Sequence, residues 1–503
     1  MCRLLGHTII LVGVLMLAMV GPAFAAGGTI RFALATLPPH QGNPYATSSM
    51  PSITTTSAMY EGLTRIAPDG TLKPWLATSW SNVDEKTWRF NLRKGVTFSN
   101  GKPFNASAVA ASVTYMATKA RPIDGLVRSD LPPLESARAI DEFTVEIVTK
   151  NPVPTFPRYA AIVFVPEPES FAALGPDEFA QKPVGTGPFM VESWEPNRAT
   201  FKAFEKSWRK PKAAKLEILA LPEPTSRVQA IISGRADIAG SLGPEDVQAL
   251  EAAGHKGVSW QDGGVNAISP VTTRSLPFND VRVRRALNYA VNRQPIIDII
   301  FQGKTVAANQ PAARVALGYV ADLPPFDYDP ARAKKLLAEA GYPNGFKFVF
   351  ETSVNSSATL TAYQQVAADL SKVGVTMEIR TVPGAQYLKN VLLTGEYADA
   401  ITMPWQSAPT LDVMRAILIH SCKTKTKWYC DTEAMPNIDA AMAEWDDAKG
   451  LELRRALGRR YHDQAAAIFL YEMVYFAGLS KTTSGFADNF GFVAYEDISV
   501  SGN

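Results

Sequence analysis

Segments typical of β-strands and of α-helices alternate along almost the whole chain. β-branched and aromatic residues in partial alternation predict strands at 29–36, 86–93, 143–149, 215–221, 346–352 and 375–382. Apolar residues at helical spacing predict helices at 106–118, 226–234, 329–341, 360–374 and 451–469. Stretches rich in Pro and Gly predict loops that cross between structural units at 38–52, 151–157, 182–188 and 263–278. This alternation predicts an α/β fold, and a length of 503 residues indicates about three domains.

The first 25 residues have the pattern of a secretory signal peptide. Arg3 precedes an apolar run at 9–20, and Ala23 and Ala25 supply the small residues of a signal peptidase site. The run is too short to span a bilayer, which takes about 20 apolar residues. We therefore expect an exported protein that is cleaved after Ala25.

The charge balance argues against a nucleic-acid-binding protein. The formal net charge is only +2, whereas nucleic-acid-binding domains usually carry a strongly basic face. One local cluster of arginines occurs at 277–297, where the apolar residues follow one helix face: Val283, Ala286, Leu287, Ala290 and Val291. This segment predicts an amphipathic helix capped by Asn279 or Asp280, with a solvated basic flank formed by Arg282, Arg284, Arg285 and Arg293.

Two cysteines, Cys422 and Cys430, lie close together outside the predicted signal peptide. Because an exported chain meets an oxidising environment, we expect them to form a disulfide. The alternative is a metal site that uses His420 together with the two sulfur atoms, although this spacing matches no common zinc pattern.

The sequence contains neither of two widespread catalytic motifs, H-E-x-x-H and G-x-S-x-G. The segment 303–305 resembles the end of a phosphate-binding loop, but Asp298 occupies the position of its first glycine. We therefore expect a protein that is not an enzyme and needs no cofactor. A secreted hydrolase remains the alternative, because scattered aspartates could still meet in space.

Six stretches, in the same order along the chain, resemble the large periplasmic solute-binding proteins of ABC importers that bind dipeptides, oligopeptides and nickel. They are YEGLTR (60–65), LKPWLATSW (72–80), WRFNLRKGVTFSNGKPFNASAV (88–109), KPVGTGPF (182–189), PFNDVRVRRALNYAVNR (277–293) and YDPARAKKLLAEAGYPNGF (328–346). One departure is Ser107, where the family usually carries an acidic residue; serine caps a helix comparably well.

The resemblance implies a two-lobed periplasmic-binding-protein fold of type II, with the ligand cleft between the lobes. The first lobe would comprise 26–54, 166–266 and 476–503, with an inserted subdomain at 55–165. The second lobe would comprise 267–475, after a signal peptide at 1–25. Closure about a few hinge residues would then bury the ligand.

The resemblance also implies a function in the periplasm. The protein is expected to capture a small solute, most simply a peptide, and to deliver it to the ABC permease subunits in the inner membrane, acting as a monomer. A receptor for a nickel complex, an opine or a sugar remains an alternative within the same family.

The residues that anchor the ligand are expected to depart from the family's pattern. Dipeptide- and oligopeptide-binding members have a tryptophan followed three residues later by an aspartate that pairs with the ligand's ammonium group. Here the tryptophan is Trp405, but Ala408 occupies the aspartate's position. Either Asp412 has taken over this role, or the ligand has no such ammonium group. Trp405 is expected to stack on the ligand, although a place in the core remains open.

Overall fold

The computed structural model describes residues 27–501, except 47–49, 122–123, 125–126, 128–129, 275–276 and 354–355. The predicted signal peptide and its cleavage site after Ala25 therefore lie outside the described residues. Within the described part of the chain, no helix combines the length and the apolar character needed to cross a membrane.

The main sheet has 11 strands among the described residues. Their order is Thr376–Thr381, Lys347–Thr352, Ala400–Ile401, Lys256–Pro270, Ile468–Leu479, Ile238–Ala239, Thr29–Leu34, Lys215–Ala220, Arg198–Ala203 and Phe189–Glu195, and Trp405–Gln406 pairs with Lys256–Pro270. Parallel and antiparallel neighbours both occur: Thr29–Leu34 runs parallel to Lys215–Ala220, whereas Lys256–Pro270 runs antiparallel to Ile468–Leu479. The predicted α/β fold is confirmed.

Two long strands, Lys256–Pro270 and Ile468–Leu479, join the two halves of this sheet. The short strand Ile238–Ala239 pairs with the far end of the second long strand, beside Thr29–Leu34. Ala400–Ile401 pairs with the opposite end of the first long strand. The long strands thus connect a first lobe to a second lobe, and the predicted boundaries near 266 and 475 fall within them. The exact division into segments stays a prediction.

A separate four-stranded antiparallel sheet lies within the segment predicted as an inserted subdomain. Its strands, in spatial order, are Ala77–Asp84, Thr87–Leu92, Thr144–Thr149 and Leu134–Asp141. Helix Ala106–Thr118 starts after Asn105, whose side chain accepts a hydrogen bond from Ala108 N. Its buried face includes Val109, Val113 and Met116, which join the same core as the sheet.

The remaining elements cover the sheets or connect them. The other helices, including short and wide turns, are Met50–Thr56, Phe156–Tyr159, Ala160–Ile162, Pro168–Gln181, Pro224–Ile232, Pro244–Ala252, Val281–Ala290, Arg293–Pro295, Ile296–Ile300, Pro330–Glu339, Ser357–Ser371, Gly384–Lys389, Asn390–Thr394, Val413–Ile419, Thr432–Ala434, Met435–Ala443, Asp447–Asp463 and Tyr495–Asp497. Two-stranded pairs join Thr64–Ile66 to Leu72–Pro74, Asp488–Asn489 to Phe492–Val493, and Thr483–Ser484 to Ser499–Val500.

The helix predicted in the arginine-rich segment spans Val281–Ala290, and Asp280 caps its first turn. The predicted solvated flank, however, is wrong for two arginines. Arg284 is buried and donates to the carbonyls of Phe278, Asn279 and Gln464. Arg293 is also buried and donates to Phe469 O and Asn288 O. These guanidinium groups satisfy buried carbonyl groups, which sequence periodicity does not detect.

Two other sequence predictions need correction. The helix predicted at 451–469 ends at Asp463, and Ile468 already begins a long strand. Ala465, with φ of +44°, breaks the helix, and pairing with Lys256–Pro270 outweighs the helix propensity of the three alanines. The loop predicted from 263 is instead strand as far as Pro270, because a β-bulge accommodates its glycines.

Cys422 and Cys430 are joined by the predicted disulfide. Both sulfur atoms of the alternative metal site are therefore bonded to each other. Among the described residues, no group of three or more His, Cys, Asp and Glu side chains is arranged to hold a metal ion.

Candidate functional site

The two long strands are interrupted where they pass from one lobe to the other. Their register shifts between Gln261 and Val265, so that Asp262–Gly264 form a bulge. Gly263 has φ of +80°, and a Cβ atom there would lie 2.3 Å from Leu411 Cδ2. Only glycine fits this close approach without a shift of Leu411. The bulge therefore brings the crossing strands directly against the loop that follows Gln406.

Asp262 is the buried acidic residue of this bulge. Its carboxylate accepts hydrogen bonds from Gly264 N at 2.7 Å and from Gln406 Nε2 at 3.2 Å. Burial raises the pKa of Asp262 to about 6, and hydrogen bonds from Gly264, Gln406 and Tyr475 oppose this increase. Asp262 thus links the first long strand to Gln406 in the second lobe.

A cavity of about 840 Å³ lies beside this crossing and is lined by both lobes. The first lobe contributes Ala35, Pro222–Pro224, Arg227 and Ser241–Pro244; the second contributes Phe301, Ser356 and Thr359; and the two long strands contribute Asn266, Tyr471 and Met473–Phe476. A volume of this size falls within the range of about 300–1,000 Å³ typical of small-molecule sites. Its walls combine aromatic rings with hydroxyl and amide groups, which suits a ligand with both apolar and polar parts.

Trp405 begins the short strand Trp405–Gln406, and its ring packs in the core of the second lobe. Its side chain is fully buried and stacks on His420, with 3.7 Å between ring centroids and 11° between ring planes. The rings of Tyr461 and Phe469 pack against it, with 5.7 and 5.4 Å between ring centroids. In this conformation the ring of Trp405 does not line the cavity, so stacking on a ligand stays a prediction that requires the loop to move.

Asp412 is buried and already engaged. Arg454 Nε lies 3.0 Å from Asp412 Oδ1, and Arg454 Nη2 lies 3.0 Å from Asp412 Oδ2. Asp412 also caps helix Val413–Ile419 by accepting from Met414 N. A ligand ammonium group would have to compete with this buried ion pair, so the role predicted for Asp412 carries a large energetic cost.

Ala408 lies at the crossing itself. It is partly buried, and a Cβ atom at Gly263 would come within 3.8 Å of Ala408 Cβ. Arg158, from the predicted inserted subdomain, fixes the next turn of this loop by donating to Thr410 O at 2.6 Å. Ala408 and the backbone of Trp405 therefore both lie beside the bulge, whereas the side chains of Trp405 and Asp412 are held in the core.

The middle of the chain matches a known protein family. Residues 71–425 match the model of the bacterial extracellular solute-binding proteins, family 5, middle region. The dipeptide-binding protein of Escherichia coli K12 is 27% identical over 497 residues, with 91% of each chain covered. The glutathione-binding protein GsiB of Shigella flexneri is 28% identical over 373 residues, covering 72% of this chain and 71% of that protein. The chain belongs to the family 5 bacterial extracellular solute-binding proteins.

The fold agrees with this membership. The crystal structure of the ABC transporter substrate-binding protein CtaP from Listeria monocytogenes superposes with a TM-score of 0.85 at 18% identity, covering 95% of this chain and all of that one. The predicted family and the predicted two-lobed fold are both confirmed. Family 5 proteins bind solutes for ABC transporters, and the cavity between the lobes is the candidate site for such a solute.

Several residues of this family 5 cleft were missed by the sequence analysis. Asp262, Asn266 and Tyr475 lie on the long strands, where no motif distinguishes them from ordinary strand residues. The pair Gly263–Gly264 inside a β-branched segment was the one available signal, since glycine in a strand often marks a bulge.

Proposed function

We propose that the protein captures a peptide in the cavity between its lobes and delivers it to the permease of an ABC importer. The observation that carries this proposal is the cavity of about 840 Å³ whose walls come from both lobes of a family 5 solute-binding fold. Relatives that bind dipeptides and glutathione support a short peptide as the solute. The volume accommodates a ligand of this size.

The walls of the cavity support recognition through the peptide backbone. Asn266 Nδ2 donates to Tyr363 Oη at 3.0 Å, while Asn266 Oδ1 is buried without a partner among the described residues. Such an unsatisfied acceptor is costly unless a bound group donates to it. Lobe closure on a peptide would supply amide N–H donors of this kind.

We further propose that the segment from Trp405 to Ala408 forms the second lobe's wall of this cleft, with its backbone beside the bulge and the Trp405 ring supporting it from behind. Trp405→Ala is then expected to weaken peptide binding by at least ~1 kcal/mol, because it removes the support of the wall. If Asp412 contacted the ligand, Asp412→Asn would weaken binding only of a cationic peptide. Because Asp412 pairs with Arg454, the substitution is expected instead to lower the free energy of unfolding.

The experiment that tests the function is mass spectrometry of the small molecule that co-purifies with the protein. A peptide released unchanged on denaturation supports a receptor that performs no chemistry on its ligand. If the co-purified molecule is a nickel complex, an opine or a sugar, the protein is a receptor for that ligand and not for a peptide. Turnover of added peptides would show that the protein is a secreted hydrolase.

Export to the periplasm and the monomeric state belong to the same proposal. N-terminal sequencing of the protein isolated from the periplasm should begin at Ala26. Native mass spectrometry of that sample should give the mass of a single chain, and a dimer would contradict the monomer.

A further inference from the structure

A small aromatic pocket opens next to the large cavity. It has a volume of about 30 Å³, and Ser241 and Tyr475 line both spaces. Phe32, Trp260 and Tyr475 form its apolar walls, and Asp488 supplies a carboxylate. A space of this size admits a water molecule, which takes about 10–15 Å³ by the same measure, and so has room for a small polar group. The pocket is therefore a side chamber of the cleft that fits one small polar group.

Asp488 carries a charge that the protein leaves without a cationic partner. Its Oδ1 atom accepts a hydrogen bond from Gly491 N at 2.6 Å. Among the ion pairs of the described residues, none joins Asp488 to a lysine, an arginine or a histidine; Arg65 is the nearby cation that acts on it from a greater distance. Burial raises the pKa of Asp488 to about 6. At neutral pH the carboxylate is charged, and a ligand cation would stabilise it.

The aromatic rings around Asp488 favour a cation as the occupant. The ring centroids of Trp260 and Tyr475 lie 6.1 Å apart with their planes tilted by 40°, and Phe486 packs edge-on against Trp260 with 5.9 Å between centroids. Cations are attracted to the faces of such rings, most strongly to tryptophan. A carboxylate beside two tilted rings thus combines two attractive contributions for one positive group.

Three buried acids near the cleft have partners within the protein. Arg454 holds Asp412, and Arg209 holds Glu61 at 3.1 Å. Asp262 accepts from Gly264 N and Gln406 Nε2. Asp488 is half-buried, and among the described residues its carboxylate forms no ion pair and accepts a hydrogen bond from Gly491 N. This matters because Ala408 replaces the acid expected near Trp405.

We propose that this pocket, formed by Trp260, Tyr475 and Asp488, binds the α-ammonium group of the peptide. The assignment rests on the proposed function, since it places one end of the proposed ligand. It makes Asp488, in the C-terminal segment that follows the second long strand, the residue that selects for a free amino terminus.

The test compares two ligand pools on the purified, refolded and ligand-free protein. One is an equimolar pool of dipeptides and tripeptides, and the other contains the same peptides with acetylated amino termini. Native mass spectrometry identifies the bound peptides, and calorimetry gives the affinity of the best free peptide and its acetylated form. The wild type is expected to bind the free peptide at least tenfold more tightly.

Asp488→Asn keeps the oxygen that accepts from Gly491 and removes the charge. It is expected to lose at least tenfold in affinity for the free peptide and to leave the acetylated peptide unchanged. Asp497→Asn is the matched control, because it removes an exposed carboxylate of the same C-terminal segment; it should bind as the wild type does. Circular dichroism establishes that both variants are folded, and Trp260→Leu, which removes a wall and no charge, gives a second measurement with the same expected loss.

The outcomes separate the two proposals. Equal binding of free and acetylated peptides by the wild type, or wild-type affinity of Asp488→Asn for the free peptide, overturns the ammonium pocket and leaves the peptide receptor standing. Binding of neither pool by the wild type overturns the peptide receptor itself, and the pocket assignment with it.

Discussion

His420 is a buried histidine whose titration affects the stability of the second lobe. It stacks on Trp405, and its ring nitrogens lie 2.9 Å from Ala416 O and 3.2 Å from Met403 O. Burial lowers the pKa of His420 to about 4, although both carbonyl groups oppose this decrease. The folded protein therefore keeps this ring neutral at a pH where an unfolded chain would protonate it.

This difference predicts a pH dependence of folding. The contribution of His420 to the free energy of unfolding is fully present above pH 6.5 and falls by about 2–3 kcal/mol as the pH decreases towards 4, since the unfolded chain takes up a proton first. Urea denaturation at pH 7 and pH 4.5 measures this loss, and His420→Gln should reduce the difference between the two conditions. The same difference in the variant would show that other groups cause it.

Asp488 predicts a pH dependence of binding with a separate origin. The groups that act on it are Arg65, Gly491 N, Tyr475 and Tyr495. Because its pKa is about 6, the carboxylate is charged at pH 7.5 and largely protonated at pH 5. The dissociation constant for a peptide with a free amino terminus should therefore rise about tenfold between these values, measured by calorimetry. Asp488→Asn should show a flat profile, and a steep one would assign the effect elsewhere.

Sequence reasoning found part of the site at this scale. The missing acid at Ala408 was visible, because a motif gives that position a meaning. The engagement of Asp412 by Arg454 was not, since these residues lie 42 positions apart and meet only in the folded lobe. Asp488 lies in a short strand pair without any motif, so its surroundings, which include aromatic rings and Gly491 N, follow from the fold and not from a sequence pattern.

At the scale of single elements, the arginine helix Val281–Ala290 shows which features of a helix the apolar periodicity of the sequence can predict. The apolar stripe predicted the helix and its start, and Val283, Ala286, Leu287 and Ala290 are fully buried. Periodicity could not predict that Arg284 turns inward, because the carbonyl groups of Phe278 and Gln464 that attract it belong to the ends of other elements. The same limit explains the misplaced end of helix Asp447–Asp463.

The buried arginine leads to a prediction for this helix. Arg284→Met fills a similar volume but leaves the carbonyls of Phe278, Asn279 and Gln464 without a donor, so it should lower the free energy of unfolding by about 2–4 kcal/mol. Arg282→Met is the control on the same helix, since Arg282 is exposed and pairs with Asp280 at the surface; its cost should stay below about 1 kcal/mol. Urea denaturation of both variants measures these changes in the free energy of unfolding. Equal losses in the two variants would contradict the structural role of Arg284.

At the scale of the whole molecule, side chains already join the predicted inserted subdomain to the second lobe. Trp88 and Trp445 stack with 5.6 Å between centroids and 28° between ring planes. Arg415 Nη2 pairs with Asp130 Oδ1 at 2.7 Å. These contacts bridge the predicted inserted subdomain and the second lobe, so they favour the conformation in which a ligand is enclosed.

Closure can be measured in solution. Small-angle scattering of the ligand-free protein should give a larger radius of gyration than the protein saturated with its co-purified ligand. Trp445→Ala should raise the radius of the ligand-free form and weaken binding severalfold, because the stacked pair contributes about 0.5–1.5 kcal/mol beyond its buried area. Trp445→Phe keeps most of the stack and should behave nearly as the wild type does. A radius that ligand leaves unchanged would contradict hinge closure.

The bulge at Asp262–Gly264 has a consequence for how the two lobes move relative to each other. The two long strands pair regularly from Lys256 to Gln261, and their register shifts twice within a few residues, between Gln261 and Val265 and again between Asn266 and Ala267; the pair is therefore easiest to bend there. A hinge at one place in a strand pair closes the lobes along one path, which the hinge geometry sets and the size of the ligand changes little. Peptides of different length would then be enclosed at the same angle, and the permease would meet one closed shape whichever of them is inside.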